Sequence, residues 1–313
     1  MPISATAFDI VAIGEAMVEF NQTGDGAART YLQGFGGDTS NAVIAASRQG
    51  ATCAYATRLG DDDFGRMCLA LWHAEGVDTS AVGIDPAAHT GVYFVRHAAQ
   101  GHSFSYLRAG SAASRMQPAD VPPHLLRHTK FLHVSGISQA ISASACATVL
   151  HAMRLAREAG AQVCYDPNLR LKLWPLERAR EVITATIPLC DHFLPSIDDL
   201  RPISGLDQPR DIVEWCHRMG ATTVVLKLGR EGSLVSNGQC CVAVPAPAVN
   251  AVDATGAGDC FDGAYLARLC TGADALAAAH WASAAAALAT TGFGAVEPLP
   301  TAARVSHFLE KAL

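Results

Sequence analysis

The chain has 313 residues, half of them hydrophobic, with 23 Lys and Arg against 29 Asp and Glu and a formal net charge of −6. That length buries a full core in one large domain, and the acidic balance supplies no basic field for a phosphate polymer, so nucleic acid is not an expected partner and small ligands are favoured. The Ala-rich residues 281–289, the most apolar run, are too short to cross about 30 Å of hydrocarbon, and no membrane partner is expected.

Residues 1–7 lack a basic region, and the apolar segment after them carries Asp9, Glu15 and Glu19. No signal peptide is expected, and a cytoplasmic location is. In chain order, strands are predicted at residues 8–14, 52–57, 131–134, 162–166, 192–194 and 223–227, several apolar on successive residues as strands covered on both faces are. Helices are predicted between them at 41–49, 64–75, 143–158, 177–187 and 211–219, several stopped by Gly50, Gly76, Gly160 or Gly220. Such alternation means an α/β layered domain with a mostly parallel sheet. Two stretches, about 15–33 and 90–108, break the rhythm: polar and apolar residues alternate around Asn21, Gly24 and Gly26, then around Gln100 and Gly101. Residues 91–97 and 101–108 read as a hairpin, and the pieces predict a small antiparallel flap inserted in a single domain spanning 1–313. After Cys241, a Gly-rich turn leads to helices at 257–270 and 274–290, the second lined with small residues all round and suited to close packing.

Ten cysteines are scattered through core-like positions without a C-x-x-C pair, the usage of buried reduced thiols. Cys240 and Cys241 are expected on opposite faces of a strand, a poor arrangement for one metal. The twelve histidines form no ligand cluster.

Chemistry concentrates in Asp253-Ala-Thr-Gly-Ala-Gly-Asp259-Cys-Phe-Asp-Gly263. Gly256 and Gly258 flank Ala257 where a helix begins, so free N–H groups and the positive end of the helix dipole form an anion site. An acid there contradicts phosphate binding unless Asp259 accepts a proton from an incoming hydroxyl; capping alone also places Asp in a first turn, but needs no room for a ligand. A second segment, Gly34-Phe35-Gly36-Gly37-Asp38-Thr39-Ser40-Asn41, lets backbone approach a ligand and presents Asp38 and Asn41 at a helix mouth, although a tight turn accounts for paired glycines too. Neither a Walker A loop nor a Rossmann glycine fingerprint is present.

Gly36-Gly37-Asp38-x-x-Asn41, Arg58-Leu59-Gly60-Asp61-Asp62-x-Phe64-Gly65 and Asp253-x-Thr255-Gly256-Ala257-Gly258-Asp259 together resemble both signatures of the ribokinase-like (PfkB) carbohydrate kinases. The resemblance covers the chain from about Phe8 to Leu309. It implies a ribokinase-like three-layer α/β/α domain with a mostly parallel central sheet and a β-flap acting as a lid. It implies ATP as donor, with Mg²⁺ carried mainly on the nucleotide phosphates and water, an anion hole at Gly256, Ala257 and Gly258, and Asp259 as the base. Leu226-Lys227-Leu228-Gly229-Arg230-Glu231-Gly232 is similar to the family's loop bordering ATP. Lys227, Gly229 and Gly232 are therefore expected on the nucleotide side with Asn168, Arg170, Ser196, Gly256 and Gly258, and Gly36, Gly37, Asp38 and Asn41 on the sugar side.

Within the family, residues 34–39, His133-Val-Ser-Gly-Ile-Ser138 and Tyr165-Asp-Pro-Asn-Leu-Arg170 followed by Leu173-Trp174 are similar to the subtype that phosphorylates the 6-hydroxyl of 2-keto-3-deoxygluconate. A sugar acid asks for a guanidinium; Arg108 and Arg170 are the candidates, with Tyr93 and Tyr106 matching the subtype's substrate tyrosines. Fructose or another sugar acid is the alternative substrate, and a non-catalytic sugar-acid binding protein a further one. The sequence also departs from the family. Its N-x-x-E motif reads Ser196-Ile-Asp-Asp199, Ala254 replaces a Thr, and the tail glycines read Thr291-Gly292-Phe293-Gly294-Ala295. These last positions border the family's monovalent-cation loop, so K⁺ near Asp253, Thr255, Gly292 and Gly294 stays an open expectation. Flap strands in this family often pair between subunits, which implies a homo-oligomer, dimer or higher.

Overall fold

Strand β1 (Ile10–Ile13) is buried throughout, and its side chains alternate between two cores: Ile10 and Ala12 enter one, Val11 and Ile13 the other. The computed structural model describes residues 8–23, 29–98 and 101–312. Residues 1–7 and the turn residues Gly24, Gly26 and Gln100 named above lie outside them.

In chain order follow β2 (Met17–Gln22), β3 (Tyr31–Gly36), α1 (Asp38–Arg48), β4 (Cys53–Gly60), α2 (Asp63–Ala74), β5 (Val82–Asp85), β6 (Gly91–Ala98), β7 (Gly101–Leu107), α3 (Pro123–Leu126), β8 (Phe131–Ser135), α4 (Gly136–Ala140), α5 (Ala143–Glu158), β9 (Gln162–Asp166), α6 (Leu176–Thr186), β10 (His192–Phe193), α7 (Ile197–Ser204), α8 (Pro209–Arg218), β11 (Thr223–Lys227), β12 (Ser233–Ser236), β13 (Cys241–Val244), α9 (Ala257–Cys270), α10 (Ala275–Ala289) and α11 (Ala302–Ala312). The main sheet has the order β13-β12-β11-β10-β9-β8-β1-β4-β5. It is parallel from β11 to β5, with β12 and β13 added antiparallel. Helices α1, α2, α9, α10 and α11 cover one face; α3, α5, α6, α7 and α8 cover the other. This is the three-layer α/β/α architecture expected. No helix among the described residues is long and apolar enough to cross a membrane.

The flap is a second sheet of order β3-β2-β6-β7. Its hairpins β2–β3 and β6–β7 are antiparallel, but its central pair β2–β6 is parallel, which corrects the all-antiparallel expectation. The reason is topological. β2 continues from β1 and β6 from β5, and β1, β4 and β5 run the same way in the main sheet, so both flap strands leave it in one direction.

Two close approaches set the site. Gly263 lets α9 touch α1, since a Cβ there would lie 2.1 Å from the Ala42 carbonyl oxygen, and the small residues Ala278, Ala279, Ala282, Ser283 and Ala285 of α10 are buried. Gly37, at φ 115, brings the start of α1 against β1's exit, where a Cβ would meet the Glu15 carbonyl oxygen at 2.3 Å. All ten cysteines are free. Cys240 precedes β13 and its thiol donates to Asn237 Oδ1 at 3.3 Å, so it does not share a strand with Cys241 as expected.

Candidate active site

Parallel strands end on one edge of the sheet, and α/β ligand sites form outside those carboxyl ends. Here the edge carries Glu15 after β1, Ser135 at the end of β8, Asp166 at the end of β9, Ser196 after β10 and Lys227 at the end of β11. The N-termini of α1 and α9 point at the same place.

Asp259 lies in the first turn of α9, half-buried, and its Oδ2 accepts a hydrogen bond from Asn41 Nδ2 at 2.8 Å. The two residues are 218 positions apart in the chain. Burial, then the neighbouring Asp38 charge, push the Asp259 carboxyl up to about 7, against the Asn41 hydrogen bond and the Lys227 ammonium. A carboxyl poised there exchanges a proton at neutral pH. Asn41 Oδ1 is buried with no partner among the described residues, an acceptor position a substrate hydroxyl would fill.

Gly256 caps α9 at φ 73 and packs on Ala295, where a Cβ would lie 3.0 Å away. Of the three residues expected to line the anion hole, Ala257 does not offer its N–H: it donates to the Ala254 carbonyl at 3.1 Å. The N–H groups of Gly256 and Gly258 have no acceptor among the described residues, and they carry the positive end of α9. Asp253 ties this turn down by accepting from Thr255 at 2.9 Å and from Gly294 N–H at 2.9 Å, so Asp253, Thr255 and Gly294 do come together.

On the sugar side, Asp38 accepts from Thr39 N–H at 2.9 Å and from Asn168 Nδ2 at 3.1 Å; burial raises its carboxyl, opposed by Ser135 and the Arg170 charge. Gly36 lies flush against Tyr93, with the site of a Cβ 2.3 Å from the Tyr93 hydroxyl oxygen. The Tyr93 hydroxyl donates to Glu19, and its ring stacks on Tyr106 at 5.7 Å. Arg108 is paired with Glu15, whose other oxygen accepts from Ser111 at 2.8 Å. Burial raises the Glu15 carboxyl while Arg108 pulls it down. Arg108 Nε remains without a partner among the described residues, and its guanidinium lies 5.6 Å from the Tyr106 ring centre. Arg170 is exposed, donates to the Leu169 carbonyl at 2.9 Å, and its charge opposes the burial that raises the Asp38 and Asp199 carboxyls.

On the nucleotide side, Gly229 (φ 60) and Gly232 (φ 98) form the tight turn between β11 and β12, and Leu228 N–H donates to the Gly232 carbonyl at 2.7 Å. Lys227 departs from expectation. Its ammonium points inward, bonded to Asp166 at 3.0 Å and Asp262 at 2.9 Å, so it is committed to two carboxylates rather than offered to a nucleotide. Burial works against that charge, but the two anions hold it firmly protonated. Ser196 donates to Asp199 at 2.6 Å and accepts from Asp199 N–H as the cap of α7, while the other Asp199 oxygen accepts from Leu169 N–H at 2.9 Å. Both Asp199 oxygens are thus occupied. No group of three metal-ligating side chains occurs among the described residues.

Sequence reading singled out neither Glu15, Glu19, Asp166 nor Asp262. A signal existed for each: a charge inside an apolar run, or a second acid three residues after Asp259 on one helix.

The sequence profile of the pfkB family carbohydrate kinases matches residues 7–302, and the chain belongs to that family. It is 35% identical over 318 residues to fructokinase-1 of Zea mays, covering 97% of this chain and 98% of the relative. It is equally, at 35% over 310 residues, similar to the 2-dehydro-3-deoxygluconokinase of Thermoproteus tenax, covering 96% and 94%. Among solved structures, aminoimidazole riboside kinase from Salmonella enterica, complexed with aminoimidazole riboside and an ATP analogue, superposes with a TM-score of 0.87 at 30% identity, covering 96% of this chain and 99% of that one. The chain is a carbohydrate kinase of this family.

Proposed function

We propose that the protein transfers the γ-phosphoryl group of ATP to the 6-hydroxyl of 2-keto-3-deoxygluconate, giving 2-keto-3-deoxy-6-phosphogluconate and ADP. The observation that carries the chemistry is Asp259: a carboxyl pushed up to about 7, held by Asn41 at 2.8 Å, at the mouth of a helix where the Gly256 and Gly258 N–H groups are unclaimed. Asp259 takes the hydroxyl proton as the oxygen bonds the γ-phosphorus and the bond to the β-phosphate oxygen breaks. The N–H groups of Gly256 and Gly258 take up charge on the transferred group. Mg²⁺, when bound with ATP, neutralises phosphate charge; K⁺ beside Asp253, Thr255, Gly292 and Gly294 belongs to the same proposal. Asn168, Ser196, Gly229 and Gly232 frame the nucleotide side, and Gly36, Gly37, Asp38, Asn41, Tyr93 and Tyr106 the sugar.

The sugar acid is supported by two guanidiniums, Arg108 with an unpartnered Nε and Arg170 with an exposed head. One observation favours the second reading, a neutral sugar such as fructose: Glu15 already neutralises Arg108. ADP release with ATP and Mg²⁺, comparing 2-keto-3-deoxygluconate, gluconate, fructose and ribose, decides between them. A preference of about 100-fold in kcat/KM for the keto-deoxy acid, about 2.7 kcal/mol, is expected; a preference for fructose discards the carboxylate reading and keeps the kinase. The exposed edge strands β3 and β7 carry Tyr31, Leu32, Phe104, Tyr106 and Leu107 at the surface, and we propose that they pair or pack between subunits of a homo-oligomer in the cytoplasm. Light scattering on the purified protein tests the assembly; a monomer at micromolar concentration rejects it.

A further inference from the structure

Lys227 closes β11 with a side chain only 11% exposed, its ammonium bonded to Asp166 of β9 at 3.0 Å and to both oxygens of Asp262 in α9 at 2.9 and 3.1 Å. Three ionisable side chains removed from water are a poor source of stability, because well-packed apolar side chains of similar volume often serve as well, and burial, with the Asp166 charge beside it, pushes the Asp262 carboxyl well up. What this group offers instead is reach. A Cβ at Gly258 would lie 3.7 Å from the Lys227 nitrogen, which puts the ammonium directly behind the turn that faces the transferred group. From Asp166 the contacts continue: its Oδ1 accepts the Asn168 N–H at 3.0 Å, and Asn168 Nδ2 donates to Asp38 at 3.1 Å. Asn168 stands at φ 34, the one non-glycine residue at positive φ among the described residues, a conformation that persists where its surroundings over-determine it. An unbroken line of polar contacts thus joins α9, beneath the base, to the sugar end of α1.

We propose that Lys227, clamped by Asp166 and Asp262, is a positioning residue for phosphoryl transfer: it braces the Gly256–Gly258 turn from behind and sets a fixed positive charge beneath Asp259. The inference rests on Asp259 being the base of the proposed reaction. The groups facing Asp259 are Asp38 and Asn41 from α1, Asp166 from β9, Lys227 from β11 and Tyr93 from β6, with Cys260 and Asp262 on its own helix. The other helix packed on α9, α10, brings one titratable residue, His280, and it is exposed. Lys227 is therefore the cation among them, and removing it leaves Asp259 beside Asp38 and Asp166, whereas removing the Asp166 charge relieves it.

The test uses the full chain with ATP, Mg²⁺ and whichever sugar proves the best acceptor, in Lys227→Met, Asp166→Asn and the double variant. For Lys227→Met, kcat should fall about tenfold or more with KM for both substrates nearly unchanged, and the acid limb of kcat/KM against pH should move up by about one pH unit. Asp166→Asn should move the limb down. The double variant, which leaves the summed charge unchanged, should bring the limb back towards that of the unsubstituted protein while kcat stays low. Limbs that do not move, with activity falling only in step with the folded fraction in thermal melts, overturn the proposal. Should Lys227→Met not fold, Asp166→Asn and the double variant carry the same test. An active Asp259→Asn sinks the reading of the base itself; an inactive one beside unmoved limbs sinks this inference alone.

Discussion

Asp259→Asn separates what the carboxylate does for chemistry from what it does to the fold. Moving a carboxyl from its ordinary 3.8 to about 7 is worth about 4 kcal/mol of preference for the protonated folded state, and partial exposure to water brings the figure nearer 2 kcal/mol. The sign follows from proton counting. The folded state holds the Asp259 proton up to about 7, the unfolded chain releases it near 3.8, so stability falls as pH rises between those values. The amide keeps an acceptor for Asn41 and has no proton to lose. Melts of the two proteins should therefore run parallel below pH 4 and diverge through pH 7, with the variant more stable by about 2–4 kcal/mol at pH 8, while turnover drops about three orders of magnitude at similar nucleotide affinity. Turnover within tenfold of the unsubstituted protein, or equal melts at pH 8, would refute the reasoning at its chemical or its electrostatic step respectively.

The same carboxyl sets the rate profile: kcat/KM should rise with pH through an acid limb near 7, and a limb near 4 in the unsubstituted enzyme would contradict the burial described. Replacing Arg170 by Leu should raise KM for a sugar acid about 10- to 100-fold, the worth of a charge-assisted contact, with little change for a neutral sugar; steady-state kinetics with both substrates reads it. Gly263→Ala forces a methyl against the Ala42 carbonyl; about 1–3 kcal/mol of stability should be lost, and kcat should fall further than the melt explains because Asn41 and Asp259 part. Exchanging Na⁺ for K⁺ at constant ionic strength should raise kcat; equal rates would remove the cation from the loop at Asp253 and Gly294.

Much of the main sheet could be read from the chain because its strands are continuous apolar runs: residues 162–166 and 223–227 fall where predicted. The edge strand β5 escaped notice since three of its four residues are only partly buried or exposed, leaving no apolar run to see. α7 was missed for a different reason, a proline at position 202 inside it, which local propensity counts against a helix. The flap's existence follows from alternation, but its parallel central pair depends on how β1 and β5 lie in the other sheet, information no local window holds. In the site, glycine spacing marks the turn before α9, while the Asn41 to Asp259 contact needs the α1–α9 crossing, 218 residues apart. Lys227 shows the limit most clearly. Its motif places it beside a loop, and only the third dimension reveals two carboxylates waiting inward.

The two sheets meet through four short crossings, at residues 14–16, 37, 86–90 and 108–112. The acids, the lysine and the helix ends proposed to handle phosphate stand with the main sheet, as do Asp38, Asn41 and Arg170; Tyr93 and Tyr106, proposed to touch the sugar, belong to the flap. On that proposal a lineage can alter part of its sugar contacts on the flap, whose inner face shares the main core, while the residues proposed for phosphoryl transfer stay untouched. Relatives bearing fructokinase and 2-dehydro-3-deoxygluconokinase names at the same distance from this chain are what such a division of labour would leave behind.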